Sequence, residues 1–437
     1  MKHGPRARWK LRGATTSMQQ EHRGTWPSID QVRHIAMAFV NAVEASIGAT
    51  EVEALASRMP PGSRNLIING KFLRARMTGV HRVAFELCNA IAGLREEGSA
   101  WLRDRDIEVW YTRDGREAAA DILLPVKQVG PFDSVAWEQI TLPARQGEQL
   151  LLNLCNIGPM LSANSVTMIH DAQVLLTPGS YSRAFRLWYR LVQGVLGRRN
   201  HALLSVSDFS RRQIARFGIA PLDRIYTIHN GVDHVLRERA DQSILARFGL
   251  SPGTFALGLS TTQEHKNIAL LMKAFARQEL AGMKLVLFGS ANRADFFAAG
   301  LEVPPQVVFA GRVSNAELRA LMEAACALVF PSTTEGFGLP PLEAMLLGTP
   351  SICAPCGALP EVCGDAALYA DPNDAAQWAG LLADLAANPE RRRNIGSACR
   401  AHAARFTWRS SAQRLVEVLD MIELTRPARH PGEGRAQ

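Results

Sequence analysis

"STTEGFGLPPLEAMLLGTP" spans residues 332–350, directly after the apolar run Ala327–Phe330. It sets Glu335 and Glu343 eight residues apart, among three prolines and three glycines. A short apolar run, a glycine loop and a proline-opened helix make the strand–loop–helix step of a parallel, doubly wound sheet. Ligands of such sheets bind beyond the carboxyl ends of the strands. Gly336 and Gly338 let the backbone approach a ligand. Pro340 and Pro341 suit a helix start, and Gly348 its end. The pattern predicts a helix over Pro341–Leu347, with Glu343 in its first turn. The start of a helix offers free amides and the positive end of a dipole, which seat a phosphate. A carboxylate can accept hydrogen bonds from both hydroxyls of a vicinal diol. In this reading Glu335 faces a sugar and Glu343 a ribose. First-turn acids are also ordinary helix chemistry, because the dipole favours them. Glu335, between Thr334 and Gly336, has less structural excuse.

The same alternation runs outward from this stretch. Upstream, strands are expected at Leu66–Asn69, Ile107–Tyr111, Val166–Ile169, Ala202–Val206 and Ile225–Ile228, with helices at 80–94, 182–198 and Phe209–Phe217. A second series has strands at Ala256–Leu259, Leu285–Phe288, Val307–Ala310, Ala327–Phe330 and Ser351–Ala354. Strands alternating with helices imply α/β architecture with two Rossmann-like halves. The expected layout is an N-terminal extension over 1–64, partly disordered with one helix, and domains over 65–235 and 240–407. A helix over 408–425 packs back toward the first domain, and 426–437 is a disordered tail. Asn230–Ser251 reads as the linker. The extension is either a regulatory helix or sequence upstream of a later start such as Met18.

The 437 residues, 47% hydrophobic and 21% charged, can bury two ordinary cores. A net charge of +8 favours anionic partners: nucleic acid, acidic lipid or phosphorylated small molecules. Aromatics are not interleaved with basic residues in a recognition pattern, so nucleic acid is not expected. No apolar run approaches the roughly 20 residues of a membrane span, and no apolar segment follows the basic start as a secretory signal would require. Cytoplasmic residence is the expectation. Seven cysteines, an odd number in a long chain, argue against a disulfide framework. Cys353, Cys356 and Cys363 lack the second pair that a zinc site needs, so no metal is expected.

Four more strand-end stretches carry chemistry. In "STTQEHKNIALLMKAF" (260–275), Lys266 can neutralise a diphosphate as a point charge. In "GALPEVCGD" (357–365), the amides of Gly357 and Ala358 can meet a hexose or a phosphate. "TMIHDAQ" (167–173) sets His170 at a strand end, and "RMTGVHRV" (76–83) sets Gly79 in a loop after the first strand. "DRD" at 104–106 reads as solvated charge.

Taken together, these segments resemble the family 4 retaining glycosyltransferases, which have the GT-B fold. The carrying residues are 331–374, "HKN" (265–267), "SVSDFSR" (205–211), "IHNGVD" (228–233), "IHD" (169–171) and, more weakly, "TGVHRV" (78–83). The resemblance covers residues from about 65 to 425. It implies that Glu335 and Glu343 are the two acids of the family's E-x7-E motif. Glu335 would contact the donor sugar and support the reacting centre, with His170 beside that sugar. Glu343 would hold the nucleotide ribose. Lys266 would bind the donor diphosphate, near Gly79 from the opposite domain. Phe337, Gly338 and Leu339 would present backbone amides to the donor. Thr261 stands where many members carry an arginine that shares the diphosphate with the lysine, and His265 stands where an arginine is usual.

The implied activity is transfer of a hexose, mannose or rhamnose, from a nucleoside diphosphate sugar to a glycan or polyprenyl-linked acceptor in surface polysaccharide synthesis. No cofactor or metal is implied. The alternative is a non-catalytic nucleotide-sugar-binding scaffold subunit of the same fold. The basic helix "FRLWYRLVQGVLGRR" (185–199) either rests on the inner face of a membrane, giving peripheral association, or packs as an ordinary helix.

Overall fold

Short β-branched and leucine-rich runs flanked by glycine, asparagine and serine become buried strands, and the amphipathic runs between them become helices. The computed structural model describes residues 65–162, 164–177 and 182–424. The expectations for the extension 1–64 and the tail 426–437 lie outside the described residues.

The first domain contains β1 (Leu66–Asn69), α1 (Gly79–Glu96), β2 (Ile107–Tyr111), β3 (Val126–Gln128), β4 (Leu150–Asn153), β5 (Ser165–Met168), α2 (Arg183–Arg199), β6 (Ala202–Ser205), α3 (Asp208–Arg216) and β7 (Ile225–Thr227). Its seven strands lie in the order β3-β2-β1-β4-β5-β6-β7, all parallel. The second domain contains α4 (Ser243–Phe248), β8 (Phe255–Ser260), α5 (Ile268–Phe275), β9 (Lys284–Gly289), β10 (Val307–Gly311), α6 (Asn315–Ala324), β11 (Ala327–Phe330), α7 (Leu339–Leu346), β12 (Ser351–Cys353), α8 (Leu359–Cys363), β13 (Leu368–Tyr369), α9 (Ala375–Ala387) and α10 (Pro389–Ala403). Its sheet runs β10-β9-β8-β11-β12-β13, again parallel. In both sheets the chain works outward from one central strand and then returns to fill the other side. The order therefore reverses between β1 and β4, and between β8 and β11. Those reversals open a crevice at the strand tips. This is the doubly wound, two-domain GT-B arrangement.

Three strands escape the sequence pattern: Val126–Gln128, Leu150–Asn153 and Leu368–Tyr369. The first is exposed at an edge, and the last is two residues long. Leu150–Asn153 is central and fully buried, so it lacks the polar alternation that marks a half-exposed strand. The linker is also shorter than expected. Ile244 and Leu245 of α4 pack with Phe255, Leu328 and Leu347 in a core of the second domain, which leaves the crossing itself to residues near 229–237.

That crossing is double. The last helix, α11 (Trp408–Leu424), leaves the second domain and packs along α1 of the first. The two passages are hydrogen-bonded: Val232 N–H donates to the backbone Phe406 O at 2.9 Å, and Trp408 N–H donates to the side-chain Oδ1 of Asp233 at 2.8 Å. Buried side chains run continuously from Leu66 and Ile91 through Trp408 and Leu415 to Phe337 and Leu359. A single apolar cluster therefore spans both domains. The stretch read as solvated charge at 104–106 includes Arg105, which is buried instead. Its guanidinium forks onto the Glu423 carboxylate of α11 and lies over the Trp101 ring. Burial overrides the expectation because α11 covers this edge of the first domain.

A Cβ on Gly231 would stand 2.1 Å from Trp408 N. Gly231→Ala is therefore expected to lower unfolding free energy by about 1–3 kcal/mol, as overpacking does. Gly93→Ala, in α1 with no atom within 4 Å of the new carbon, is expected to raise it by about 0.5–1 kcal/mol. Urea titrations of the two variants check the pair.

Candidate functional site between the domains

Two loops of the second domain leave neighbouring strand tips at the β8/β11 reversal. One follows β8 and carries Thr261, His265 and Lys266; the other follows β11 and carries residues 331–338. They join where Thr333 N–H donates to His265 O at 2.8 Å. This brings Lys266 Nζ to 2.7 Å from Glu335 Oε1, with Phe330 under the ammonium at 5.7 Å. Glu335 is 7% exposed, so the ion pair is largely desolvated and its removal from one side leaves a costly unpaired charge. Gly357, at φ +64°, lies against the Glu335 backbone, and Ala358 N–H donates to Glu335 O at 3.0 Å. The Ala358 amide is thus used in holding Glu335 and is not free for a hexose or phosphate, contrary to the sequence expectation.

Helix α7 begins at Leu339 rather than Pro341, so Glu343 lies past its first turn. The two prolines occupy early positions, as their missing N–H groups require. Glu343 is 8% exposed, and its Oε1 lies 3.2 Å from Nε2 of His234 in the interdomain crossing. Gly338 has φ +102°, and a Cβ there would strike Leu359. Phe337 is buried with its ring against His229 and Phe406. Leu339 lies 3.7 Å from where a Cβ on Gly79 would stand, which puts the first-domain loop opposite the start of α7. Thr261 Oγ1 accepts from Gln263 N–H at 3.2 Å, closing a turn.

His170 and Asp171 face this loop from the first domain. A Cβ on Gly336 would meet His170 O at 2.7 Å and Asp171 Cβ at 2.8 Å. His170 Nε2 lies 2.8 Å from Leu154 O and must donate to it, which leaves Nδ1 as an acceptor. Burial pulls its pKa down to about 4, so the ring is neutral near pH 7 and can accept from a hydroxyl but cannot act as a cationic acid. Asp171 was quoted in the sequence but not singled out. Burial, joined by the charge of Glu335, raises its pKa, against the Gln173 amide and Lys266. His265 has a stronger peculiarity: it is 4% exposed and neither ring nitrogen has a hydrogen-bond partner. Burial and then Lys266 lower its pKa to about 4.

The loop is latched across the cleft. Ser207 Oγ donates to Gly336 O at 2.6 Å, Ser210 Oγ reaches the same oxygen at 3.2 Å, and Gln173 donates to Thr334 O at 3.1 Å. Glu361 of α8 accepts from the first amides of α3, Asp208 at 2.7 Å and Phe209 at 2.8 Å, and pairs with His229 at 2.9 Å. Burial alone would raise the Glu361 pKa, but His229 and the two amides bring it below the usual value. Sequence reading missed Glu361 because its partners lie about 150 residues away. A second polar network lies at the strand tips of the first domain. Asn69 bridges Glu138 and Asn153, and Lys71 Nζ holds Glu138 at 2.7 Å on a π-helical turn, Trp137–Thr141. Among the described residues no group of three or more potential metal ligands converges.

Residues 252–402 match the model of glycosyl transferases group 1. The chain is 34% identical over 241 residues to O-antigen chain mannosyltransferase B of Escherichia coli; the match covers 50% of this chain and 60% of the relative. It is 27% identical over 241 residues to O-antigen chain mannosyltransferase RfbU of Salmonella typhimurium, covering 53% and 63%. The chain thus spans under two thirds of the length of these relatives. Among solved structures, HepE from Anabaena in complex with UDP and glucose superposes with TM-score 0.61 at 20% identity, over 82% of this chain and all of that one.

Two outcomes are expected from this geometry. Gly336→Ala forces the 334–338 loop away from His170 and should weaken domain closure by about 1–3 kcal/mol, whereas Gly380→Ala, with open space around it, should not; small-angle scattering and melting curves of both check this. Because the Glu361 pKa is lowered in the folded protein, its contribution is complete above the unfolded value of about 4.3 and is lost as pH falls through the lowered one. Glu361→Gln should therefore reduce stability at pH 7 and narrow the difference from wild type on acidification below about pH 4, read by urea titration at each pH.

Proposed function

We infer, from the match of residues 252–402 to the glycosyl transferases group 1, that the protein is a retaining glycosyltransferase moving a hexose from a nucleoside diphosphate sugar to a glycan or lipid-linked acceptor. The observation that carries this reading is the buried contact of Lys266 with Glu335 at the β8/β11 reversal, opposite His170 and Asp171. Mannose is the sugar favoured, on the strength of the names of the two relatives above. Surface polysaccharide synthesis is the setting in which such a transfer fits.

In this mechanism charge decides the roles. Departure of the sugar leaves negative charge on the diphosphate and oxocarbenium character on the ring. Lys266 stabilises the former as a fixed cation, together with the amides of Phe337, Gly338 and Leu339 where α7 begins. His265, with its unused ring nitrogens, supplies a neutral donor beside Lys266, where the family usually carries arginine. Thr261 and Gly79 border the diphosphate. Glu343 grips the ribose hydroxyls. His170 accepts a hydrogen bond from a sugar hydroxyl through Nδ1, and Glu335 holds the lysine and a second hydroxyl. Attack comes from the face the diphosphate leaves, and the departing phosphate takes the acceptor proton. The acceptor lies over the strand tips of the first domain, near Lys71. No metal or cofactor enters this scheme.

Peripheral membrane contact is part of the reading. Helix α2 carries five arginines and no acid, and its Leu187 and Leu191 are 69% and 51% exposed. Trp188, Val192 and Leu196 on its other side pack against Val135 and Met160. One face of the helix thus packs on the first domain, and the other presents leucine and arginine outward, which is what the membrane reading requires. Among the described residues no helix is long and apolar enough to cross a membrane.

The test is a thermal-shift and turnover screen with GDP-mannose, UDP-glucose and dTDP-rhamnose, since a donor bound only by the native state raises the melting point. Turnover of one donor that falls at least a hundredfold in Glu335→Ala supports the enzyme; donor binding without turnover supports the scaffold subunit instead. Separately, the protein should co-sediment with phosphatidylglycerol vesicles at low salt and release at high salt, and Leu187→Glu with Leu191→Glu should abolish the association. Equal sedimentation of the double variant would remove α2 from the membrane contact.

A further inference from the structure

The residue after the "IHNGVD" segment, His234, has no role in the scheme above, yet it touches one of its two acids. His234 sits in the one-turn helix Asp233–Leu236 at the crossing between domains, with its side chain 8% exposed. Its Nδ1 lies 3.1 Å from the indole Nε1 of Trp408. Indole N–H is a donor only, so Nδ1 must be the bare, accepting nitrogen. The ring proton of the neutral histidine is then on Nε2, and Nε2 is the atom 3.2 Å from Glu343 Oε1. Tautomer and orientation are both fixed by an indole that is itself anchored. Trp408 is 2% exposed, its backbone N–H is held by Asp233, and its ring lies 5.8 Å from the imidazole.

We infer that His234 is a positioning residue for Glu343: its Nε2–H orients the carboxylate toward the ribose of the nucleotide, and Trp408 sets the histidine. The inference rests on the assignment of Glu343 to the ribose. Its consequence is that the grip of the second domain on the nucleoside depends on the place where the chain crosses between domains. Asp233 and Trp408 form that crossing, and α11 carries it onto the first domain. The neighbouring His229 does not compete for Glu343, since its Nε2 is engaged by Glu361.

The experiment compares wild type, Glu343→Ala, His234→Ala, His234→Gln and Trp408→Phe by calorimetry. The probes are GDP and UDP, which carry a ribose, and inorganic pyrophosphate, which does not. Expected for His234→Ala is a loss of nucleoside diphosphate affinity of roughly tenfold, the scale of one hydrogen bond to a charged group, with pyrophosphate affinity unchanged. His234→Gln should recover most of it, because the Gln amide can accept from the indole and donate to the carboxylate. Trp408→Phe should weaken the nucleoside diphosphate in the same selective way. A merely structural role would move both classes of probe together with the melting point, and that result overturns the inference. Should Glu343→Ala weaken the nucleoside diphosphate and a folded His234→Ala or His234→Gln bind as wild type, the positioning role falls while the ribose assignment stands. Unchanged affinity in Glu343→Ala, or no binding of either nucleotide by wild type, removes the ribose assignment and this inference with it.

Discussion

The double passage of the chain at residues 230–234 and 406–408 is the constraint from which the rest follows. Val232 and Asp233 hydrogen-bond the backbone of Phe406 and Trp408, and Gly231 leaves no room for a side chain between them. Each domain has its own parallel sheet. What neither sheet supplies is the other's distance and angle. Those are set by two strands of backbone in van der Waals contact, and then by α11 lying on α1. The same passages fix how His170 and Asp171 on one wall stand opposite Lys266 and Glu335 on the other.

The cleft concentrates groups whose charge is costly to bury. Lys266 and Glu335 neutralise one another at 2.7 Å. His170 and His265 avoid the cost by staying neutral, with pKa values near 4. Asp171 is pushed toward its neutral form by burial and by Glu335. Asp171 and His265 are shifted by burial in the field of Lys266 and Glu335, and His170 chiefly by its own burial.

The doubly wound pattern was legible from the sequence because its signal is local: an apolar run, a glycine loop, an amphipathic helix. Leu66–Asn69, Ala327–Phe330 and Trp408–Leu424 occur where the pattern sets them. Leu150–Asn153 did not show, because a strand buried on both faces reads here as three leucines and an asparagine with no alternation. The start of α7 was misjudged by two residues, since proline is tolerated at several early helix positions and does not mark which. At the site, the strand-tip position of Lys266 and Glu335 could be read, and their contact could not, because it joins loops 69 residues apart. Ala358 was misassigned for a related reason: an amide is free or bound only in three dimensions. His234, Arg105 and Glu361 had no local signal at all; each acts through a partner more than 100 residues away.

Glu361 adds something to the latch that the serine hydroxyls do not. The start of α3 exposes amides that need acceptors. Ser207 caps Ser210 from within the first domain, but Asp208 and Phe209 are capped by a carboxylate borrowed from the second. The first two amides of the helix therefore have a protein acceptor only while the cleft is shut. Opening would uncover those two donors at the positive end of a dipole and hand them to water. Loss of protection at these two amides and separation of the domains are then the same event, so amide exchange at residues 208–209 would serve as a clock for the opening of the cleft.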